Sequence, residues 1–196
     1  QPGIEVVGHA GDGADAVRQV EQLRPDVVLM DIRMPEVDGV EATRRIFSPE
    51  RVAARSTPVR VLVLTTFNLD DRAATAIRHG ASGFLLKDAT PTQLVHAIRT
   101  VHAGTAVLAP GDLQVLMRGE FSAREPLPQG YAALTDKERE VLVLVAQGLS
   151  NVEIGERIFA AESTVKTHVG GLLRKLDLRD RVQLVVFAFR HHLVDG

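Results

Sequence analysis

Cysteine is absent from the 196 residues, which excludes both a disulfide framework and a thiolate metal site. No apolar run approaches the length of a membrane-spanning helix, and no signal peptide is visible. Nor is there an excess of charge of either sign: 23 Lys and Arg stand against 25 Asp and Glu, a formal net charge of -2. Overall charge therefore does not mark a nucleic-acid binder. The seven His are scattered apart from His191 and His192, with no metal-ligand spacing, and read as surface residues. Internal repeats and low-complexity tracts are missing as well.

Pattern, rather than composition, carries the signal near the carboxyl end. In AAESTVKTHVGGLLRK, which starts at Ala160, the apolar residues Val165, Val169, Leu172 and Leu173, continued by Leu176, recur at helical spacing. Lys166, Thr167, His168 and Gly170 fall on the opposite, exposed side. Taken alone, such a stretch is an ordinary amphipathic surface helix; its neighbours favour a helix that enters a DNA major groove. Thr135 with Glu138, Ser150 with Glu153 and Asp180 with Gln183 each have the spacing of a capping box, and Gly148 ends the first helix of the group. A helix over 150–159, a break at Ala160 and Ala161, and the helix after it make a helix-turn-helix, with Ile154 and Ile158 packing on Val141 and Leu144.

The stretch LTDKEREVLVLVAQGLSNVEIGERIFAAESTVKTHVGGLLRKLDLRDRVQ closely resembles the DNA-binding domain of the LuxR and FixJ type, from Leu134 to about Val194. Two positions depart from the family pattern: Ala161 stands where a capping Ser is usual, and Gly170 where some relatives carry a long base-contacting side chain. Lys166, Arg174, Lys175, Arg179 and Arg181 outnumber Asp177 and Asp180, so a basic excess is local to the proposed DNA face. Lys166 and Thr167, with His168 on the same exposed side, are expected to face bases. Ser163, Thr164, Lys175 and Arg181 are expected to address phosphates, which position the helix without reading sequence.

Toward the amino end, the apolar run 27–30 stops at Asp31, as a buried parallel strand does when it delivers a carboxylate to its C-terminal end. The alternative is an Asp that merely caps the following turn. Arg60–Thr65 is a second such run, ending in Thr65 and Thr66, and Gly83–Leu86 a third, followed by Lys87. An acid, a hydroxyl and an amine at equivalent strand ends suit an aspartyl phosphate, whose oxygens need a donor and a cation. Helices are expected over Gly13–Leu23, 39–47, 70–79 and 91–103, the last capped by Thr90 with Pro91 in its first turn. Alternating strands and helices imply an α/β fold with a doubly wound parallel sheet, followed by a small all-α helix-turn-helix domain.

VVLMDIRMPEVDGVEATRRI and ASGFLLKD resemble the receiver domain of two-component response regulators. The resemblance puts Asp31 in the phosphoacceptor position, Thr65 as the switch hydroxyl, Lys87 as the phosphate-binding lysine and Phe84 as the aromatic switch residue, although Phe84 reads equally as a fixed core residue. It implies Mg2+ in the complete domain, held here by Asp31 and the backbone carbonyl of Arg33. The first strand of the family, its acidic pair and most of the first helix have no counterpart, because the chain starts at Gln1 directly before an expected strand at residues 4–8. A further stretch of chain before Gln1 is expected, or domain exchange with a partner. Residues 48–58, rich in Arg and Ala, form an insertion longer than the family norm. The expected domains are a receiver over 1–118, a linker over 119–130 containing Pro126 and Pro128, and a DNA-binding domain over 131–196, with residues 111–118 adding a short helix to the receiver.

Together these resemblances imply a cytoplasmic transcription regulator of the NarL and FixJ class and not an enzyme. Its partners would be a sensor histidine kinase that phosphorylates Asp31, double-stranded DNA, and a second copy of itself when active. Val182, Val185 and Val186 on the final helix are candidates for the dimer contact, or else they only close the monomer core. A constitutive or ligand-sensing DNA-binding protein that needs no phosphorylation is the alternative. A phosphatase turning over through Asp31 is disfavoured, because Ile32 and Arg33 supply no second acid.

Overall fold

The computed structural model describes residues 2–66, 70–106, 108, 110–117 and 126–194. The chain divides into two compact units, residues 1–102 and residues 103–196.

The first unit is built on three parallel strands, β1 (Val27–Asp31), β2 (Arg60–Thr65) and β3 (Gly83–Leu86), hydrogen-bonded in that order. Val61, Leu62 and Val63 are consecutive, so their side chains alternate between faces, yet none is more than 1% exposed. Both faces of the sheet are therefore covered, as a parallel sheet requires. The covering helices are α1 (Gly13–Leu23), α2 (Gly39–Ile46), the short α3 (Pro49–Ala53), α4 (Asp71–Arg78) and α5 (Pro91–His102). Helix α2 packs on β1 and α4 on β2, while α1 rests on α2 and α5 crosses all three strands. Local chemistry sets the helix starts. Asp12, Asp38 and Asp70 each accept a backbone N–H three residues on, and Thr90 and Gln93 exchange hydrogen bonds ahead of Pro91.

Residues 4–8 do not form the expected strand. The outer edge of β1 pairs with no strand among the described residues, and a strand exists only through a neighbour's backbone groups. Val6 and Val7 stay 69% and 49% exposed as a result.

The second unit is helical: α6 (Pro110–Met117), α7 (Gln129–Ala132), α8 (Asp136–Ala146), α9 (Asn151–Ile158), α10 (Glu162–Leu176) and α11 (Arg181–Arg190). Complete capping boxes open α8 and α9, and the Asp180 carboxylate accepts the Gln183 N–H at the start of α11. Gly148, at φ +84°, turns the chain out of α8 in the left-handed region that glycine enters without penalty. Helix α8 packs against α10 and α11, and α9 against α10. Val141, Ile154, Val165 and Leu172, all 0% exposed, form the centre of this core.

The helix expected to extend the receiver is α6, and it lies in the second unit instead. Its leucines explain this: Leu113 sits against the Gly148 turn, and Leu113 and Leu116 are buried, as is Leu108 just ahead of the helix. Residues 119–125 of the expected linker lie outside the described residues. Val182, Val185 and Val186 are at most 3% exposed, so they close the core and are not offered as a free dimer face.

Candidate functional site

Three parallel strands in register bring the chemistry of the first unit to one end. Asp31 pairs with Leu64 and Thr65 with Leu86, which places Lys87 one residue past the same edge. Lys87 Nζ donates to Asp31 Oδ2 at 2.5 Å. Asp31 Oδ1 accepts the Arg33 N–H at 3.0 Å, so the carboxylate both caps its turn and meets the lysine. Thr65 is buried at 4% exposure, and its carbonyl accepts the Lys87 N–H at 2.7 Å, which ties the lysine backbone to β2. Asp31, Arg33, Thr65, Thr66, Asp70 and Lys87 share one shallow depression.

Gly39 holds the loop beneath this depression. A Cβ there would lie 2.0 Å from the Asp31 carbonyl oxygen, so only glycine permits so close an approach of the α2 start to β1. Phe84 is half-buried on β3 and pairs with Val63, two residues before the Thr65–Leu86 pair and on the same face. Among the described residues, no three His, Cys, Asp or Glu converge to hold a metal ion. Asp70 lines the depression, but its carboxylate already caps α4. Asp31 and the Arg33 carbonyl alone fall short of the six or so oxygens a hard cation takes.

In the second unit, α10 buries Val165, Val169, Leu172 and Leu176 and leaves Ser163, Thr164, Lys166 and Thr167 exposed, with His168 half-buried. The helix starts at Ala161 without a side-chain cap. Its approach is set instead by Phe159, at φ 55°, and by the Ala160 N–H on the Gly155 carbonyl at 2.9 Å. Gly155 is required there, since a Cβ would stand 2.6 Å from the Ala160 oxygen. Lys166 pairs with Glu162 at 2.8 Å, and both side chains are about half exposed. Such a surface pair is worth little, which leaves the lysine available to another anion. Thr167 Oγ1 donates to the Ser163 carbonyl at 3.0 Å.

Two of the residues expected on phosphates do other work. Arg181 is 4% exposed and donates to Asn151 Oδ1 at 2.7 Å and to the Leu149 carbonyl, locking α11 onto the turn between α8 and α9. Burial pushes its guanidinium down to about 10, against the opposing influence of Glu153. Lys175 donates to Glu138 Oε2 at 2.7 Å and to the Ala133 carbonyl at 3.1 Å. Burial works to raise the Glu138 carboxyl, but Lys175 and the Thr135 donors outweigh it and hold the group below its ordinary value. The sequence showed Glu138 as a capping residue and Lys175 as a surface base; nothing local paired them. It also gave no sign that Phe159, at the turn, is 98% exposed.

A parallel sheet presenting Asp, Thr and Lys at one end, joined in one chain to a helix-turn-helix, defines a receiver-controlled DNA-binding regulator. Comparison with known proteins agrees in both halves. The family described as "Response regulator receiver domain" matches residues 1–99, and "Bacterial regulatory proteins, luxR family" matches residues 132–188. The chain is 41% identical over 196 residues to the transcriptional regulatory protein LiaR of Bacillus subtilis (strain 168), covering 100% of this chain and 89% of that protein. It is 37% identical over 195 residues to the response regulator protein VraR of Staphylococcus aureus (strain NCTC 8325 / PS 47), covering 99% and 88%. A solved two-component response regulator of the LuxR family from Aurantimonas sp. SI85-9A1 aligns with a TM-score of 0.50 at 34% identity, over 60% of this chain and 80% of that one. The chain belongs to the two-component response regulators that join a receiver domain to a LuxR-type DNA-binding domain and regulate transcription. These are DNA-binding regulators rather than enzymes, and receiver domains as a class bind Mg2+ at an acidic pocket. Among the described residues, no helix is long and apolar enough to cross a membrane.

Proposed function

We propose that Asp31 is the phosphoacceptor through which a sensor histidine kinase controls this regulator. The observation that carries the reading is the 2.5 Å contact between Lys87 Nζ and Asp31 Oδ2 at the level ends of the strands, beside Thr65. An Asp31 carboxylate oxygen attacks the phosphorus of the donor phosphohistidine, the P–N bond breaks, and the imidazole leaves with the electron pair. Lys87 then serves the phosphoryl oxygens it adjoins, and the Thr65 hydroxyl donates to another. The group adds about -1.5 to -2 of charge, which draws Thr65 inward and shifts the populations of the face around Phe84 and α4.

The output is DNA binding in the cytoplasm by a homodimer, whose two α10 helices read successive major grooves about 34 Å apart. Lys166, Thr167 and His168 face the bases, and Ser163 and Thr164 the phosphates. Lys175 and Arg181 support that surface from within.

The test is the intact mass of the protein, expressed with its natural amino end and incubated with Mg2+ and a small phosphodonor, beside Asp31→Asn. One phosphoryl group gained by the parent and not by the variant is the expected result. The competing reading is DNA binding that needs no phosphorylation. No mass gain in the parent, together with intact promoter binding, would select it.

A further inference from the structure

The stretch at residues 48–58 helps build a cleft that shares no lining residue with the depression around Asp31. It has a volume of about 510 Å³, within the range of small-molecule sites. Val20, Pro25 and Val59 give it an apolar floor, while Arg24, Arg51 and Arg55 bring three guanidinium groups to its walls. Its two carboxylates are already engaged. Glu21 pairs with Arg51, and Glu50 is held below its ordinary value by its own backbone N–H and the Ser48 hydroxyl. Three arginines against two carboxylates leave the cleft one net positive charge, with Arg24 and Arg55 the cations outside the Glu21–Arg51 pair.

Arg55 is the more telling of the two. Its Nη1 donates to the Ile46 carbonyl at 2.7 Å, which fixes the plane of the guanidinium. Its Nη2 is shielded from solvent and has no acceptor among the described residues. Burial, and then the neighbouring Arg51, depress its affinity for a proton. A half-buried, oriented guanidinium with an unanswered donor beside a second cation is costly unless an anion completes it. The Ser56 and Thr57 hydroxyls line the same wall and add neutral donors.

We infer that this cleft binds a small phosphate-bearing molecule, with its phosphate on Arg55 and Arg24 and its body over Val20, Pro25 and Val59. The planar fork of arginine matches phosphate oxygens, and the cleft is several times larger than a phosphate ion needs. Such a ligand would report metabolic state to the receiver independently of Asp31.

The experiment is calorimetric titration of the full chain, in the Asp31→Asn background, with inorganic phosphate and with glycerol 3-phosphate at ionic strength matched by potassium chloride. Saturable binding is expected, unchanged by Lys87→Gln or Lys166→Ala and weakened about tenfold or more by Arg55→Gln and by Arg24→Gln. Tighter binding of glycerol 3-phosphate supports a site that holds more than the phosphate group, through the cleft walls and the Ser56 and Thr57 hydroxyls; equal binding overturns the seating of a ligand body beside the phosphate. Arg24 is exposed at the end of α1, so its variant keeps the test decisive if Arg55→Gln does not fold. No saturable heat with either probe, or loss with Lys87→Gln and not with the cleft variants, overturns the inference.

Discussion

A single carboxylate, Glu138, holds the start of α8 and the end of α10 together. Its Oε2 accepts from the Thr135 N–H at 2.8 Å, the Thr135 hydroxyl at 3.0 Å and Lys175 at 2.7 Å, while the residue is only 7% exposed. Glu138→Gln keeps the shape and removes the charge. Because the Lys175 side chain remains 27% exposed, solvent tempers the loss, and we expect destabilisation of about 1–3 kcal/mol near neutral pH. The sign with pH follows from the lowered carboxyl: its contribution is complete above the ordinary value of 4.5 and is lost as pH falls through the lower folded value. Urea unfolding of parent and variant across that window checks this. Their stabilities converge on acidification; a gap that stays constant would mean that packing, not charge, is what Glu138 supplies.

At the scale of elements, the legible part of the sequence was the part governed by local chemistry. Capping pairs at Thr135 and Ser150, the Gly148 turn and the 3.6-residue period of α10 each reside in a few adjacent residues, and all three are found as read. The elements misread depend on distant partners. Residues 4–8 have strand composition but pair with no strand among the described residues, and α6 has a leucine face whose cover lies at Gly148, far along the chain. Arg181 and Lys175 belong to the same class, since their acceptors Leu149 and Glu138 are 32 and 37 residues away. Local reasoning also yields a prediction at Ala161. It begins α10 with extended backbone, φ -66° and ψ 149°, and no cap, which suits a Ser whose Oγ accepts the Thr164 N–H. Ala161→Ser should stabilise the second unit by about 1 kcal/mol, read as a higher urea midpoint at unchanged slope. A midpoint that stays in place or falls would show that the Gly155–Ala160 turn holds the helix start in a geometry the hydroxyl cannot use.

For the molecule as a whole, a net charge of -2 offers no general attraction to DNA, so affinity must come from a few local cations. The structure separates two kinds of basic residue that the sequence lists together. Lys166 is exposed on α10 in a surface pair with Glu162, whereas Arg181 is buried with its guanidinium spent inside the fold. They should fail differently. Binding of a promoter fragment, followed as log K against log salt, loses about 0.9 of slope for each phosphate contact removed. Lys166→Ala should lower affinity for the promoter and cost about 1–3 kcal/mol of its preference over non-specific DNA, with thermal stability nearly unchanged. Arg181→Gln should leave the slope intact while lowering stability by about 1–3 kcal/mol, because the part-buried Leu149 carbonyl and Asn151 side chain lose their donor. Measured side by side, promoter preference and salt slope report contact with DNA, and the melting curve reports internal support. A flattened slope for Arg181→Gln at full stability would return that residue to the phosphate-facing surface that its sequence neighbourhood first suggested.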